Sequence, residues 1–112
     1  MSMRANYAVK INNMEPELAQ EAVEMMCKEL EINLLKSTKR KMKIQIPGEH
    51  AVDVYLTSKE VTFSGDNMYL DKYTDLEPRV RQFYEAVEYS KEFNCNIDYV
   101  KESEQIELMV PV

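Results

Sequence analysis

The chain has 112 residues, of which 45% are hydrophobic and 30% are charged, and its formal net charge is −6 at pH 7. This length and balance are typical of one globular domain, here residues 1–112, and exclude an intrinsically disordered chain. The first residues hold no apolar run that could form a signal-peptide core, and no stretch approaches the ~20 apolar residues of a membrane span. We therefore expect a cytoplasmic protein without membrane contact, in which Cys27 and Cys95 are buried free thiols.

A strand and a helix are predicted first. Tyr7, Val9 and Ile11 alternate with other residues at the period of a half-buried strand. A helix over residues 14–31 should follow, with Pro16 in its first turn, where the missing N–H does no harm. Its apolar stripe consists of Leu18, Ala19, Ala22, Val23, Met26 and Leu30.

Three strands are predicted in the middle of the chain. Apolar residues alternate over residues 42–46 and again over residues 52–56, so these segments form a β-hairpin around the turn at residues 47–50. Residues 61–63 predict a shorter third strand, whereas residues 68–73 show no clear pattern.

The last third of the chain predicts a helix and a closing hairpin. The segment from Thr74 to Glu77 has capping-box spacing, and Pro78 makes Asp75 the alternative cap of a helix that ends near Asn94. A hairpin follows, with its turn at residues 102–104. The predicted fold is α+β, β-α-β-β-β-α-β-β, a largely antiparallel sheet with two helices packed on one face. The predicted core packs Leu18, Val23, Met26, Val80, Phe83 and Val87 on Val9, Ile44, Val54 and Leu108.

Several classes of site are excluded by what the chain lacks. His50 is the one histidine, and the two cysteines form no CxxC motif, which excludes HExxH sites and zinc ribbons. Gly48 and Gly65 are isolated, so no phosphate-binding glycine loop is present, and no serine lies in a GxSxG motif. We therefore expect no enzymatic activity, no catalytic residue, no cofactor and no metal ion.

Two polar clusters allow a weaker functional interpretation. Glu, His and Asp within residues 49–53 could act as acids or bases, but a solvated turn carries such residues without any nucleophile nearby. Asp66, Asn67 and Asp71 offer oxygen ligands for Ca²⁺ or Mg²⁺, but the spacing of an EF-hand is absent and turns favour these residues for backbone reasons.

One basic segment stands out from an acidic chain. Residues 36–43 (KSTKRKMK) hold five basic residues, and the other 104 residues hold the remaining 9 of 14 basic residues and all 20 acidic ones, a net charge of −11. The candidate partner-binding residues, expected in a loop leading into a strand with Lys41 and Lys43 on its polar face, are Lys36, Lys39, Arg40, Lys41 and Lys43.

That segment could contact a phosphate backbone, an acidic protein or the acidic face of a second copy. The simpler interpretation is a solvated loop with lysines that protect a sheet edge from aggregation. Tyr55 and Phe63 could stack bases on an open sheet face, but packing in the core explains both aromatic residues more simply.

The order of elements, the opening strand YAVKI at residues 7–11 and the segment VRQFY at residues 80–84 resemble one known family. It is the small hypothetical-reading-frame family of plastids and cyanobacteria, with relatives in phages. The resemblance covers most of the chain. Since the family has no settled activity, it implies no functional residue.

These observations favour a non-enzymatic interaction protein that binds another macromolecule. We expect a protein partner, and also self-association through the edges of the sheet. An accessory or inhibitor protein of a phage or mobile element is one such form, since an acidic surface can imitate nucleic-acid phosphates. One alternative is a nucleic-acid-binding domain that uses residues 36–43, which the acidic remainder disfavours. The other is a regulatory domain that binds a small ligand between sheet and helices.

Overall fold

The computed structural model describes residues 3–111, and within them it has an α+β fold with seven strands and three helices. The elements are β1 (Arg4–Lys10), α1 (Pro16–Glu29), β2 (Asn33–Ser37), β3 (Lys41–Gln45), β4 (Val52–Leu56), β5 (Glu60–Asp66), α2 (Asn67–Thr74), α3 (Glu77–Phe93), β6 (Asn96–Val100) and β7 (Gln105–Met109). Five antiparallel strands form the main sheet in the order β1-β5-β4-β3-β2, and β6 and β7 form a separate hairpin.

The antiparallel sheet and the hairpin of β3 and β4 confirm the sequence prediction. The strand β5 was also expected, but it has seven residues, Glu60–Asp66, and is not the short strand predicted over residues 61–63. The predicted element order differs in two places, because it lacked β2 and α2. It also did not separate the last hairpin from the main sheet.

The strand β2 was not predicted because a β-bulge interrupts its alternation. Leu34 lies opposite Ile44 and Lys36 lies opposite Lys43, so Leu35 is an extra residue in the ladder. A bulge places two residues against one on the partner strand and thereby disrupts the period of two. The two adjacent leucines therefore show no strand pattern in the sequence.

The helix α1 is shorter at both ends than residues 14–31. Pro16 pushes the residue before it out of the helical region, and Glu15 is extended with φ −101° and ψ 121°. At the other end Glu31 adopts a left-handed conformation with φ 59°, which terminates the helix. The predicted stripe is otherwise correct, since α1 buries Ala19, Ala22, Val23, Met26 and Cys27.

The helix α2 is fixed by its cap and by one tyrosine. The side chain of Asp66 accepts a hydrogen bond from the Met68 N–H at 2.9 Å, which caps the helix. The hydroxyl of Tyr73 donates to the His50 carbonyl oxygen at 2.5 Å and accepts from the Ile46 N–H at 3.0 Å. The turn between β3 and β4 is thereby attached to α2.

Neither predicted cap of the next helix is used. Thr74 is the last residue of α2 and Asp75 follows it as the C-cap, whereas the N-cap of α3 is Leu76, which makes no side-chain capping bond. The Leu76 N–H instead bonds the Tyr73 carbonyl oxygen at 3.0 Å, so α3 begins almost directly after α2.

The predicted core is correct at eight of its ten positions, which are at most 1% exposed: Val9, Val23, Met26, Ile44, Val54, Val80, Phe83 and Val87. Leu18 is partly buried and packs against this core. The prediction for Leu108 is wrong, since this side chain is 37% exposed on the separate hairpin. The buried apolar residues of the strands point toward the helices. On the opposite face of the main sheet only Ser64 is buried among the described residues, so that face stays open.

Candidate interaction surface

The open face of the main sheet carries the side chains that alternate with the core. Strand register aligns them in two rows across the sheet, the first formed by Asn6, Ser64, Asp53, Lys43 and Lys36, the second by Ala8, Thr62, Tyr55 and Lys41. Within these two rows, small and polar residues occupy the β1 side, and basic residues occupy the β2 side. We call Lys36, Lys41, Lys43 and Tyr55 the lysine surface.

Two lysines of this surface lie directly opposite each other on neighbouring strands. Lys36 and Lys43 are paired in the register of β2 and β3, and both are exposed. Within residues 3–111 neither side chain forms an ion pair or hydrogen bond. Asp53 lies opposite Lys43 on β4, but its carboxylate binds the Arg4 guanidinium at 2.7 Å. The lysine surface is therefore positively charged where β2 and β3 meet.

Tyr55 adds an aromatic ring at the centre of the face. It lies on the middle strand of the sheet, is 37% exposed, and has the Lys41 ammonium 5.5 Å from its ring centroid. This geometry is a cation–π contact. The expectation that both aromatics pack in the core is correct for Phe63, which is fully buried, and wrong for Tyr55, which points away from the core.

The structure divides the basic segment between two locations. Lys36 lies in β2 and not in a loop, and Lys41 and Lys43 lie on the polar face of β3 as predicted. Lys39 and Arg40 lie in the turn between these strands and line a cleft of about 310 Å³ beside residues 15–18 at the start of α1. There the Lys39 ammonium pairs with the Glu17 carboxylate at 3.0 Å.

The two polar clusters predicted from the sequence have other partners. His50 stacks on Tyr69 of α2 with ring centroids 3.9 Å apart, whereas Asp53 binds Arg4 on the open sheet face. Asp66 caps α2 with its carboxylate. Among the residues that the structure describes, no three His, Cys, Asp or Glu side chains could together hold a metal ion.

Both cysteines are free and buried, as the sequence predicted. Burial is the main cause that raises the pKa of Cys27 to about 12, with a smaller contribution from the nearby Glu24. A thiol with so high a pKa is protonated at neutral pH and is a poor nucleophile.

A hydrogen-bonded cluster that sequence reasoning missed joins α3 to the edge strand β1. The Tyr7 hydroxyl donates to the Glu77 carboxylate, and Arg81 binds both that carboxylate and the Lys10 carbonyl oxygen. The hydrogen bond from Tyr7 is the main cause that lowers the pKa of Glu77, and it raises the pKa of Tyr7. These polar groups are hydrogen-bonded to one another, and the bonds attach α3 to the main sheet.

Searches of protein-family models, of curated proteins and of solved structures find no match to this chain. The resemblance to the plastid and cyanobacterial family therefore stays a prediction. No helix within residues 3–111 is long and apolar enough to cross a membrane.

Proposed function

We propose that this chain is a non-enzymatic interaction protein that binds an acidic protein partner through the lysine surface, in the cytoplasm. The observation that carries the proposal is the uncovered face of the main sheet, on which Lys36 and Lys43 lie opposite each other and, within residues 3–111, form no ion pair. An accessory or inhibitor protein of a phage or mobile element is one form that such a protein takes.

The energetics of the free protein support a partner of negative charge. Like charges directly opposite on a sheet face destabilise it by an amount comparable to the ~0.2–1 kcal/mol that favourable cross-strand pairs contribute. Carboxylates of a partner would replace this repulsion between Lys36 and Lys43 with attraction. The pair is exposed, so it stays accessible from solution.

The layout of the face also suits protein recognition. Interfaces place aromatic residues at their centre and lysines toward their rim. Tyr55 lies on the central strand, and the lysines lie on the two strands to one side of it. On the other side the short side chains of Ala8 and Thr62 leave the face level. The partner then packs on Tyr55, and its acidic groups reach the lysines.

The test is affinity purification of the native protein and of the variant Lys36→Glu/Lys43→Glu, with identification of co-eluting proteins by mass spectrometry. The matched control is Lys59→Glu/Lys72→Glu, which changes the charge equally at two exposed lysines without an ion pair in the described part of the chain. A direct partner, once purified, should bind the wild type and the control within about threefold and the Lys36/Lys43 variant at least about tenfold more weakly. Equal binding by all three proteins would refute the proposal.

A nucleic-acid-binding domain is the second candidate function, and the contact between Tyr55 and Lys41 favours it. An exposed aromatic ring on an open sheet, beside a lysine, is how several RNA-binding sheets stack bases. Three lysines on phosphates would give a slope of log K against log salt of roughly −2 to −3, at −0.7 to −0.9 for each contact.

The remainder of the chain opposes this candidate, since outside residues 36–43 the net charge is −11. We therefore expect no appreciable binding of DNA or RNA near physiological salt. A gel shift under those conditions that is lost in Lys41→Glu and retained in Lys59→Glu would instead favour nucleic acid over an acidic protein.

A further inference from the structure

Each of the two sheets carries one pair of like-charged residues directly opposite each other. Lys36 faces Lys43 on the main sheet, and Asp98 faces Glu107 on the hairpin of β6 and β7. All four side chains are exposed, and within residues 3–111 none of them forms an ion pair or a hydrogen bond. Both pairs are destabilised by repulsion in an isolated protomer, and because their charges are opposite, contact between the two pairs would reduce the repulsion in each.

Both pairs also lie at an edge of a sheet. Lys36 belongs to β2, the last strand of the main sheet, and Glu107 belongs to β7, which within the described residues pairs with β6 alone. Unpaired N–H and C=O groups along such edges can accept a strand from another chain.

Exposed apolar side chains flank each charged pair. Leu34 is 40% and Leu35 is 53% exposed beside Lys36, while Leu108 is 37% and Met109 is 50% exposed beside Glu107. Contact between the two edges would therefore bury apolar surface in addition to joining opposite charges.

We propose that the hairpin of a second copy of this chain is an acidic partner of the lysine surface, with β7 of one protomer alongside β2 of another and Glu107 next to Lys36. This inference rests on the proposed function of that surface. Cross-strand neighbours on one face have Cβ atoms ~4.5–5.5 Å apart, in a new strand pair as in the existing ones. The row of charges then runs Lys43, Lys36, Glu107, Asp98, with its attractive contact at the junction between protomers.

The contact joins two different edges, β2 of one protomer and β7 of another. Each protomer has one β2 edge and one β7 edge to offer. The bulge at Leu35 shortens the regular part of β2, and bulges and lysines are devices that protect an edge from pairing. The contact is therefore centred on Lys36. This lysine would repel a strand of positive charge, but it attracts Glu107 of the second copy.

The experiment compares the masses of four samples by sedimentation velocity at high protein concentration: the wild type, Lys36→Glu, Glu107→Lys, and an equal mixture of the two variants. Each single variant alone meets a like charge at the junction, whereas in the mixture Glu at position 36 meets Lys at position 107. Lys59→Glu is the control for a change of net charge at an exposed residue.

We expect self-association of the wild type and of the control at 0.1 M salt, where charges act over about 10 Å, and at least about tenfold weaker association at 1 M, where they act over about 3 Å. Each single variant should associate at least about tenfold more weakly than the wild type, and the mixture should recover to within about threefold. Circular dichroism of each variant establishes that it is folded.

A monomer mass at every concentration and at low salt would overturn the inference, as would association that neither charge reversal weakens. Failure of the mixture to recover would also overturn it, since the two reversed charges would then not meet. These outcomes differ from failure of the proposed function, in which an acidic partner protein binds the Lys36→Glu/Lys43→Glu variant as well as the wild type.

Discussion

The hydroxyl of Tyr73 offers a direct measure of how strongly α2 holds the turn between β3 and β4. Tyr73→Phe keeps the buried ring but removes the group that donates to the His50 carbonyl oxygen and accepts from the Ile46 N–H. Each lost hydrogen bond costs ~0.5–1.5 kcal/mol, so we expect a loss of ~1–3 kcal/mol in the free energy of unfolding. With an unfolding entropy of about 2.1 cal/mol/K per residue, a chain of this length should lose roughly 4–13 °C in Tm.

The assay is urea denaturation at pH 7, followed by circular dichroism, with Tyr89→Phe as the control. Tyr89 is 46% exposed, and among residues 3–111 its one contact of this kind is between its ring and that of Phe93, so its hydroxyl should contribute little. Burial raises the pKa of Tyr73 in the folded protein above its ordinary value of 10.0. The neutral hydroxyl therefore contributes its full stabilisation below pH 10.0, and this stabilisation is lost as pH rises through the raised pKa. An equal effect of both substitutions at pH 7 would refute the reasoning, because the two hydrogen bonds would then contribute nothing.

Three further predictions concern stability. A Cβ at Gly65 would lie 3.1 Å from Cγ1 of Val52, so Gly65→Ala should cost ~1–3 kcal/mol by urea denaturation, and less in a Val52→Ala background. Lys36→Glu should stabilise the dilute protein by ~0.2–1 kcal/mol at 0.1 M salt, with the gain disappearing at 1 M; a loss of stability would contradict the like-charge argument. Tyr7 lowers the pKa of Glu77 below its ordinary value of 4.5, so this carboxylate contributes stability above that value and loses it as pH falls through the lowered pKa. Tyr7→Phe should therefore lower the free energy of unfolding at pH 7, and that free energy should then fall less than in the wild type as the pH is lowered. An unchanged dependence of the free energy of unfolding on pH would show that the hydrogen bond contributes nothing.

The sequence by itself determined most elements of the fold, because alternation and helical spacing report which side of an element is apolar. It identified the strands that contain Val9, Ile44 and Val54, and it identified most of the buried residues of both long helices. It also placed Lys41 and Lys43 on the polar side of their strand. These patterns depend only on residues near one another in the chain.

Only the tertiary structure decided which face of the main sheet the helices cover and which polar residues are neighbours on the other face. All three helices pack on the same face of the main sheet, so Tyr55 is exposed on the other face. The bulge at Leu35 brings Lys36 opposite Lys43, while the turn that follows carries Arg40 to the start of α1. The Arg4 guanidinium binds the carboxylate of Asp53, a residue 49 positions away in sequence. Local periodicity has no information about such contacts, because strand register and helix placement are set by pairings between distant segments.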